Sequence, residues 1–318
     1  MQAVIIAGGK GTRLRPLTYG CPKPMLPLFH RPFLDWMVER CRLAGITDIL
    51  LNIHYQGQQV KDYFGAGDRH GVMIRYIEEA IPLDTAGALK LAEPFFTGES
   101  LVVFNADILT DLDLTALTQF HQQQGSDVTL TLTRVADITP FGLVELGEGQ
   151  RVVAFREKPS PEEAIGFLAQ GINTINAGTY VIEPHVFAGY GVGEPLSFER
   201  VVFPNVLQRG QAMTGFVWDG YWLDVGSPAK YYQSHLDILR GAMPYNLEAQ
   251  DVYCHQEGIW IAKTAQVSPR AVLEAPCYVG SYATVTDDAY IPGGTIVGAY
   301  GVIQRAIAPG IYREGCLL

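Results

Sequence analysis

The 318 residues suffice for two domains, or one large domain with an appendage, and the 48% apolar share supports a packed core rather than disorder. A formal net charge of −10 speaks against broad binding to nucleic acid or to an anionic membrane. No apolar run reaches the roughly 18 residues of a membrane span, and no secretory signal pattern opens the chain, so a cytoplasmic protein without membrane partners is expected.

In chain order, "AVIIAGG" (3–9) predicts a buried strand running into a glycine loop, and "PFLDWMVERCRLAG" (32–45) a helix stopped by Gly45. "DILLNIHY" reads as a strand, "GQQVKDYFG" as a short helix, and "GVMIRYIEE" and "SLVVFNAD" as further strands. Near-continuous apolar strands alternating with helices imply an α/β fold with a mostly parallel sheet covered on both faces. The later segments "DVTLTLTRV", "GLVEL" and "RVVAFREKP" read as a β-meander, so the sheet is expected to be mixed. This unit spans 1–243, and 244–258 reads as a connector.

Beyond it, Ile261, Val267, Leu273, Val279, Val285, Ile291, Val297 and Ile303 recur every six residues. That period predicts a short left-handed parallel β-helix over 259–318, with hexads running to about 308 and three hexads to a coil. No histidine follows His255, so the solenoid lacks the general base of a hexapeptide acyltransferase. Packing and homo-oligomer formation are its expected roles. The five cysteines are scattered, with no C-x-x-C pair, and the seven histidines show no metal-ligand spacing.

Chemistry concentrates first in "AGGKGTRLRPLTYGCPKPM" (7–25), where Lys10, Arg13, Arg15 and Lys23 stand without an acid. Gly8, Gly9 and Gly11 let the main chain approach phosphate oxygens, with N–H groups that form an anion nest. Arg13 offers a bidentate fork, and Lys23, stiffened between Pro22 and Pro24, a point charge. Asp107 ends an apolar strand, at the sheet edge where α/β ligands bind. A second carboxylate, Asp224 in "GYWLDVGSP", would complete a pair of hard oxygen ligands suited to Mg²⁺. In "FREKP", Glu157 suits sugar hydroxyls and Lys158 an anion, while Gly142 and Asn176 are candidate close-approach and hydroxyl contacts. The alternative for each is a solvated loop, a cap or a strand end.

Together these pieces resemble the nucleoside-diphosphate-sugar pyrophosphorylases, most of all the mannose-1-phosphate guanylyltransferases. The matching stretches are "GGKGTRLRPLT…PKPM", "PLDTAGALKLAEPF", "FNADILTDLDL", "FGLVEL", "FREKP", "INAGTYVIEPHVF" and "GYWLDVGSP". The resemblance implies a Rossmann-like nucleotide-diphospho-sugar transferase fold that joins a nucleoside triphosphate and a sugar 1-phosphate, releasing pyrophosphate. It places the nucleotide along Ala7, Gly8, Gly9, Gly11, Thr12, Arg13 and Lys23, with Asp84 and Gly87. It puts Mg²⁺ on Asp107 and Asp224, and the sugar phosphate on Lys158, Glu157, Gly142 and Asn176. GTP with mannose 1-phosphate is the leading pair, and UTP or dTTP with glucose 1-phosphate the alternative. Two departures stand out: "NAD" where the family often reads Asn-Gly-Asp or Asn-Ser-Asp, and Asp84 where many members carry glycine. Two rival readings are a glycosyltransferase using Asp111-Leu112-Asp113 as a D-x-D motif, and a non-catalytic regulator that binds nucleotide sugar. Against the first, Asp113 reads better as a helix N-cap.

Overall fold

Strand β1 (Gln2–Ile6) alternates its side chains between two buried faces, and this decides the architecture. Ala3 and Ile5 join one apolar cluster and Val4 another. The computed structural model, which describes residues 1–248 and 251–318, shows a sheet with helices on both sides. After β1 come the short hairpin strands β2 (Pro27–Leu28) and β3 (Arg31–Pro32), then helix α1 (Phe33–Leu43) and β4 (Asp48–Ile53). Next are α2 (Gly57–Phe64), β5 (Met73–Glu78), α3 (Asp84–Ala92), β6 (Leu101–Asn105) and β7 (Ile108–Thr110). Helix α4 (Leu114–Gln124) leads into β8 (Val128–Arg134), β9 (Gly142–Leu146), β10 (Val152–Glu157), α5 (Pro161–Ala169) and β11 (Thr174–Ile182). Helix α6 (Phe203–Gln208), β12 (Met213–Val217), β13 (Trp222–Asp224) and α7 (Pro228–Leu239) complete the unit.

The sheet order is β10-β9-β11-β6-β1-β4-β5, with β8 paired to β11 and β12 to β8. Strands β5, β4, β1 and β6 run parallel, and β11 runs antiparallel to β6, β8 and β9. The expected mixed, mostly parallel α/β sheet is therefore present. The meander reading holds for the β9–β10 hairpin, whereas β8 leaves its sequence neighbours to pair with β11 and β12. Helix starts follow local chemistry: Ser160 makes a reciprocal capping box with Glu163 ahead of Pro161, and Ser227 caps Lys230 N–H ahead of Pro228.

Part of the expected connector is a strand, β14 (Val252–Gln256), laid antiparallel on β15 (Ile259–Ala262); residues 249–250 of that stretch lie outside the described part. The short strands β16 (Gln266–Val267), β17 (Val272–Leu273), β18 (Cys277–Val279), β19 (Thr284–Val285), β20 (Tyr290–Ile291), β21 (Thr295–Val297), β22 (Val302–Ile303) and β23 (Gly310–Tyr312) follow. They stack into three parallel ladders, β15-β18-β21-β23, β16-β19-β22 and β17-β20. Ile261 lies opposite Val279 and Val279 opposite Val297, one coil per three hexads, as the repeat requires. Six of the eight hexad residues are buried, and Val267 and Leu273 are half-buried. The last coil is shorter, since Val297 pairs with Tyr312. The solenoid shares a core with the α/β unit: Tyr278 packs its ring 4.8 Å from that of Phe29, and Tyr232 of α7 donates to the Gly294 carbonyl at 2.6 Å.

Candidate active site

Asp107 and Asp224, far apart in sequence, meet because β7 and β13 form a private antiparallel ladder. Ile108 stands opposite Asp224, and Val225 N–H donates to the Asp107 carbonyl at 2.8 Å. Lys23, at the start of a short helical turn after Pro22, donates to Asp107 Oδ2 at 2.6 Å. Arg13 reaches the same corner from the turn Thr12–Leu14, which buried Leu14 anchors. Gly226 keeps the corner open: a Cβ there would fall 3.1 Å from Asp224 Oδ1 and 3.2 Å from Arg13 Nη1. Burial lifts the Asp224 pKa above the usual carboxylate value, and Asp107 adds to the lift against Lys23, Lys230 and Arg13.

This corner is one end of a cavity of about 620 Å³, within the usual range of small-molecule sites. Arg13, Asp84, Asp107, Gly142, Glu157, Lys158, Asn176 and Asp224 all line it, so eight of the sequence candidates converge there. Gly142 keeps the wall beside Glu157 open, because a Cβ would lie 2.6 Å from Phe155 Cζ and 3.1 Å from Glu157 Oε2. Lys158 sits at φ 51°, held by its N–H to the Phe141 carbonyl at 3.1 Å, with Nζ 3.1 Å from Glu157 Oε1. A left-handed lysine is unusual, and such backbone concentrates at functional sites. Asn176 donates to the Tyr180 hydroxyl at 2.9 Å and accepts Gly178 N–H at 3.1 Å, which fixes its amide beside a bulge in β11.

A smaller adjoining cavity of about 220 Å³ is lined by Ala7, Gly9 and Lys23, and it shares Thr85, Asn105 and Asp107 with the larger one. The glycine loop therefore borders the same site. Gly11 has φ 60°, and a Cβ on it would press to 3.0 Å on Lys23 Cβ, so the loop fits against Lys23 only without a side chain. Gly8 lies behind the loop beside Asn52 and Glu79, and Thr12 lines neither cavity. Gly87 is placed elsewhere than expected. It is buried in α3 where a Cβ would meet the Glu194 carbonyl oxygen at 2.8 Å, so its smallness serves a backbone crossing.

Sequence reasoning missed Thr85, Asn105, Ser197, Glu199, Arg200 and Trp222, all of which line the main cavity. Glu199 Oε2 accepts from Ser197 Oγ at 3.0 Å and from Thr85 Oγ1 at 3.4 Å. Burial raises its pKa, with Glu157 and Asp84 adding to the rise against its main-chain and Ser197 hydrogen bonds. Trp222 is fixed by donating to the Ala177 carbonyl at 2.9 Å. The stretch "SFER" carries no periodic or glycine signal, and only its seat against α3 brings it into the site.

The residues present fit a hard divalent cation. Asp224 Oδ1 is buried without a hydrogen-bond partner, an expensive state for a carboxylate oxygen unless a cation completes it. Among the described residues no group of three or more His, Cys, Asp or Glu side chains is placed to hold a metal by itself. Two carboxylates leave the remaining positions to phosphate oxygens and water, which is the habit of Mg²⁺.

The D-x-D alternative loses its ligands. Asp111 Oδ1 accepts from Trp218 Nε1 at 2.6 Å, and Asp113 caps α4 by accepting Thr115 and Ala116 N–H at 2.8 and 3.0 Å. A cavity lined by the cations Arg13, Lys158 and Arg200 and by two convergent aspartates is a site suited to an anionic, metal-bound substrate, and the class of protein follows from the family it belongs to. The chain belongs to the nucleotidyl transferase family, whose profile matches residues 2–241. It is 37% identical over 311 residues to the mannose-1-phosphate guanylyltransferase of Mycobacterium tuberculosis, covering 96% of this chain and 83% of that one. It is 28% identical over 312 residues to a UTP–glucose-1-phosphate uridylyltransferase of Synechocystis, covering 94% and 78%. Among solved structures, HddC from Yersinia pseudotuberculosis complexed with GMP-PN superimposes with a TM-score of 0.61 at 26% identity, covering 74% of this chain and 99% of that one. Among the described residues no helix is long and apolar enough to cross a membrane.

Proposed function

We propose that the protein is a cytoplasmic sugar-1-phosphate nucleotidylyltransferase acting on GTP and mannose 1-phosphate. The observation that carries this is the convergence of Asp107, Asp224, Arg13, Lys158, Glu157 and Asn176 on one cavity, with Lys23 bonded to Asp107. A phosphate oxygen of the sugar phosphate forms a bond to the α-phosphorus of the triphosphate. The bond from that phosphorus to the bridging oxygen breaks, and pyrophosphate leaves with the electron pair. The nucleophile is anionic near neutral pH, since a monoester's second pKa is about 6, so no general base is required. The barrier is repulsion between anions plus charge gathering on the leaving group. Arg13 and Lys23 hold the triphosphate, Lys158 holds the sugar phosphate, and Glu157, Asn176 and the Gly142 backbone hold the sugar. Asp107 and Asp224 would hold Mg²⁺, which supplies charge neutralisation to the triphosphate and the leaving pyrophosphate.

The guanylyl and mannosyl choice is supported by the stronger likeness to the mycobacterial guanylyltransferase than to the uridylyltransferase. The test is pyrophosphate release with each of the four NTPs against mannose 1-phosphate and glucose 1-phosphate. GTP with mannose 1-phosphate is expected to give the highest kcat/KM. Faster reaction of UTP or dTTP with glucose 1-phosphate would overturn the substrates and keep the reaction. Tight ligand binding without pyrophosphate from any pair would instead support the regulatory reading.

The solenoid motivates a homo-oligomer, because it leaves Val272, Tyr282, Tyr300 and Leu317 exposed. Tyr282 and Tyr300 stack one coil apart at 5.1 Å. Light scattering at micromolar concentration is expected to give a mass above that of one chain. A one-chain mass sinks the idea.

A further inference from the structure

Of the cations lining the main cavity, Arg13, Lys158 and Arg200, the last has no role in the reaction described above. Its Nη2 donates to Asp84 Oδ2 at 2.6 Å, while Asp84 Oδ1 accepts Thr85 N–H at 2.8 Å. Asp84 makes these two bonds from φ 62°, a left-handed backbone that glycine adopts freely and a Cβ opposes. The Arg200 side chain is 69% exposed, so the pair is well solvated. An exposed ion pair returns too little stability to offset a left-handed backbone, so stability does not account for Asp84.

The main chain under Arg200 is by contrast rigidly mounted. Leu196 N–H donates to the Leu83 carbonyl at 2.9 Å, Ala86 and Gly87 N–H donate back to the Leu196 carbonyl at 2.8 and 2.9 Å, and Phe198 N–H donates to Thr85 Oγ1 at 3.1 Å. The first turn of α3 and the segment 196–198 are therefore tied together by hydrogen bonds. A long flexible arginine follows that segment, and Asp84 sets its direction. A guanidinium carries five N–H donors, and one bond to Asp84 leaves others for a phosphate oxygen. The triphosphate already has Arg13 and Lys23, and Arg200 is absent from the lining of the smaller, glycine-loop cavity. Lys158 and Glu157 share the larger cavity with Arg200, and Glu199 next to it feels the charge of both Glu157 and Asp84.

We propose that Arg200 is a second cation for the phosphate of the sugar 1-phosphate, beside Lys158, and that Asp84 is the positioning residue that aims it. This rests on the nucleotidylyltransferase reading above. The test combines calorimetric titration of mannose 1-phosphate and of glucose 1-phosphate with kinetics in which each substrate is varied in turn. Arg200→Met is expected to raise Kd and KM for the sugar phosphate about tenfold or more, with KM for the NTP within about twofold. Arg200→Lys is expected to recover part of that loss, because the charge survives without the fork. Asp84→Gly and Asp84→Asn are expected to raise sugar-phosphate KM about three- to tenfold with kcat little changed. Asp84→Gly relieves the left-handed backbone, so its thermal midpoint is expected to match or exceed wild type, which separates aiming from folding. The double variant Asp84→Gly, Arg200→Met is expected to be no worse than Arg200→Met alone.

Wild-type affinity in Arg200→Met, a loss confined to the NTP, or additive losses in the double variant would each overturn the proposal. If those results come with normal wild-type turnover, this inference alone falls. If the wild-type protein binds neither sugar phosphate, it falls together with the reaction assigned above.

Discussion

Replacing Asp107 by asparagine is expected to lower magnesium-dependent turnover at least ~100-fold while leaving the fold intact. Asparagine keeps the size of the side chain and an acceptor for Lys23, whose Nζ lies 2.6 Å from Asp107 Oδ2, so the corner need not collapse. It removes the charge that a hard cation requires. Asp107→Ala is expected to lose as much turnover, but it also strands Lys23, whose side chain is only 13% exposed, and so lowers the unfolding midpoint. The two variants together separate metal binding from ion-pair stability. A further consequence concerns nucleotide binding without metal. In the protein as it stands, Asp107 occupies Lys23, the cation that the proposed reaction gives to the triphosphate. Asp107→Asn weakens that grip on Lys23, so metal-free GTP binding is expected to stay within about threefold of wild type or to tighten, even as turnover vanishes. Near-normal turnover of Asp107→Asn, measured by pyrophosphate release, would remove Asp107 from the metal site and the proposed chemistry with it.

What could be read from the chain was what local pattern encodes. The apolar run Val4–Ala7 with its glycines, the strand ending at Asn105 and the six-residue aliphatic repeat each declare themselves within a short window. Such elements bury themselves by their own periodicity. Asp107 was visible as a strand-end carboxylate, but its pairing with Asp224 depends on the β7–β13 ladder, which residue patterning does not reveal. Glu199 and Arg200 were invisible for the same reason. They sit in a single wide helical turn, Phe198–Val202, tied to α3 by main-chain bonds at the preceding Leu196 and by Phe198 N–H on Thr85 Oγ1, contacts that no local pattern announces. Gly87, which only the family resemblance brings to the nucleotide, makes its close approach in this structure to the backbone of Glu194–Leu196. The shortened last coil follows the end of the hexads at Ile303, where the aliphatic period no longer reports the path.

Asp224→Asn is expected to stabilise the metal-free protein and at the same time abolish turnover, and the combination is diagnostic. The Asp224 carboxylate is half-buried, has one oxygen without a hydrogen-bond partner, and lies beside a second carboxylate. Lys230 Nζ, at 3.9 Å, is too far for a good hydrogen bond, so the charge is under-compensated. An acid whose folded pKa is raised binds its proton more tightly in the native state. The ionised form therefore detracts from stability at neutral pH, and the loss is recovered as pH falls through the raised value. Asparagine removes this burden at every pH. At pH 7.5 without metal, the variant is expected to melt on the order of 2 °C above wild type, as ~1 kcal/mol gives in a chain of this size. The gap should close on acidification, because wild-type Asp224 then takes up its proton. It should also close on adding millimolar Mg²⁺, which can raise the wild-type midpoint by mass action and finds no second carboxylate in the variant. Turnover of the variant is expected to fall at least ~100-fold. A thermal scan at two pH values, with and without Mg²⁺, reads all of this. If metal-free Asp224→Asn melts below wild type, the carboxylate is a structural partner of Lys230, Arg13 and Lys23. It would then not be the under-compensated half of a cation site.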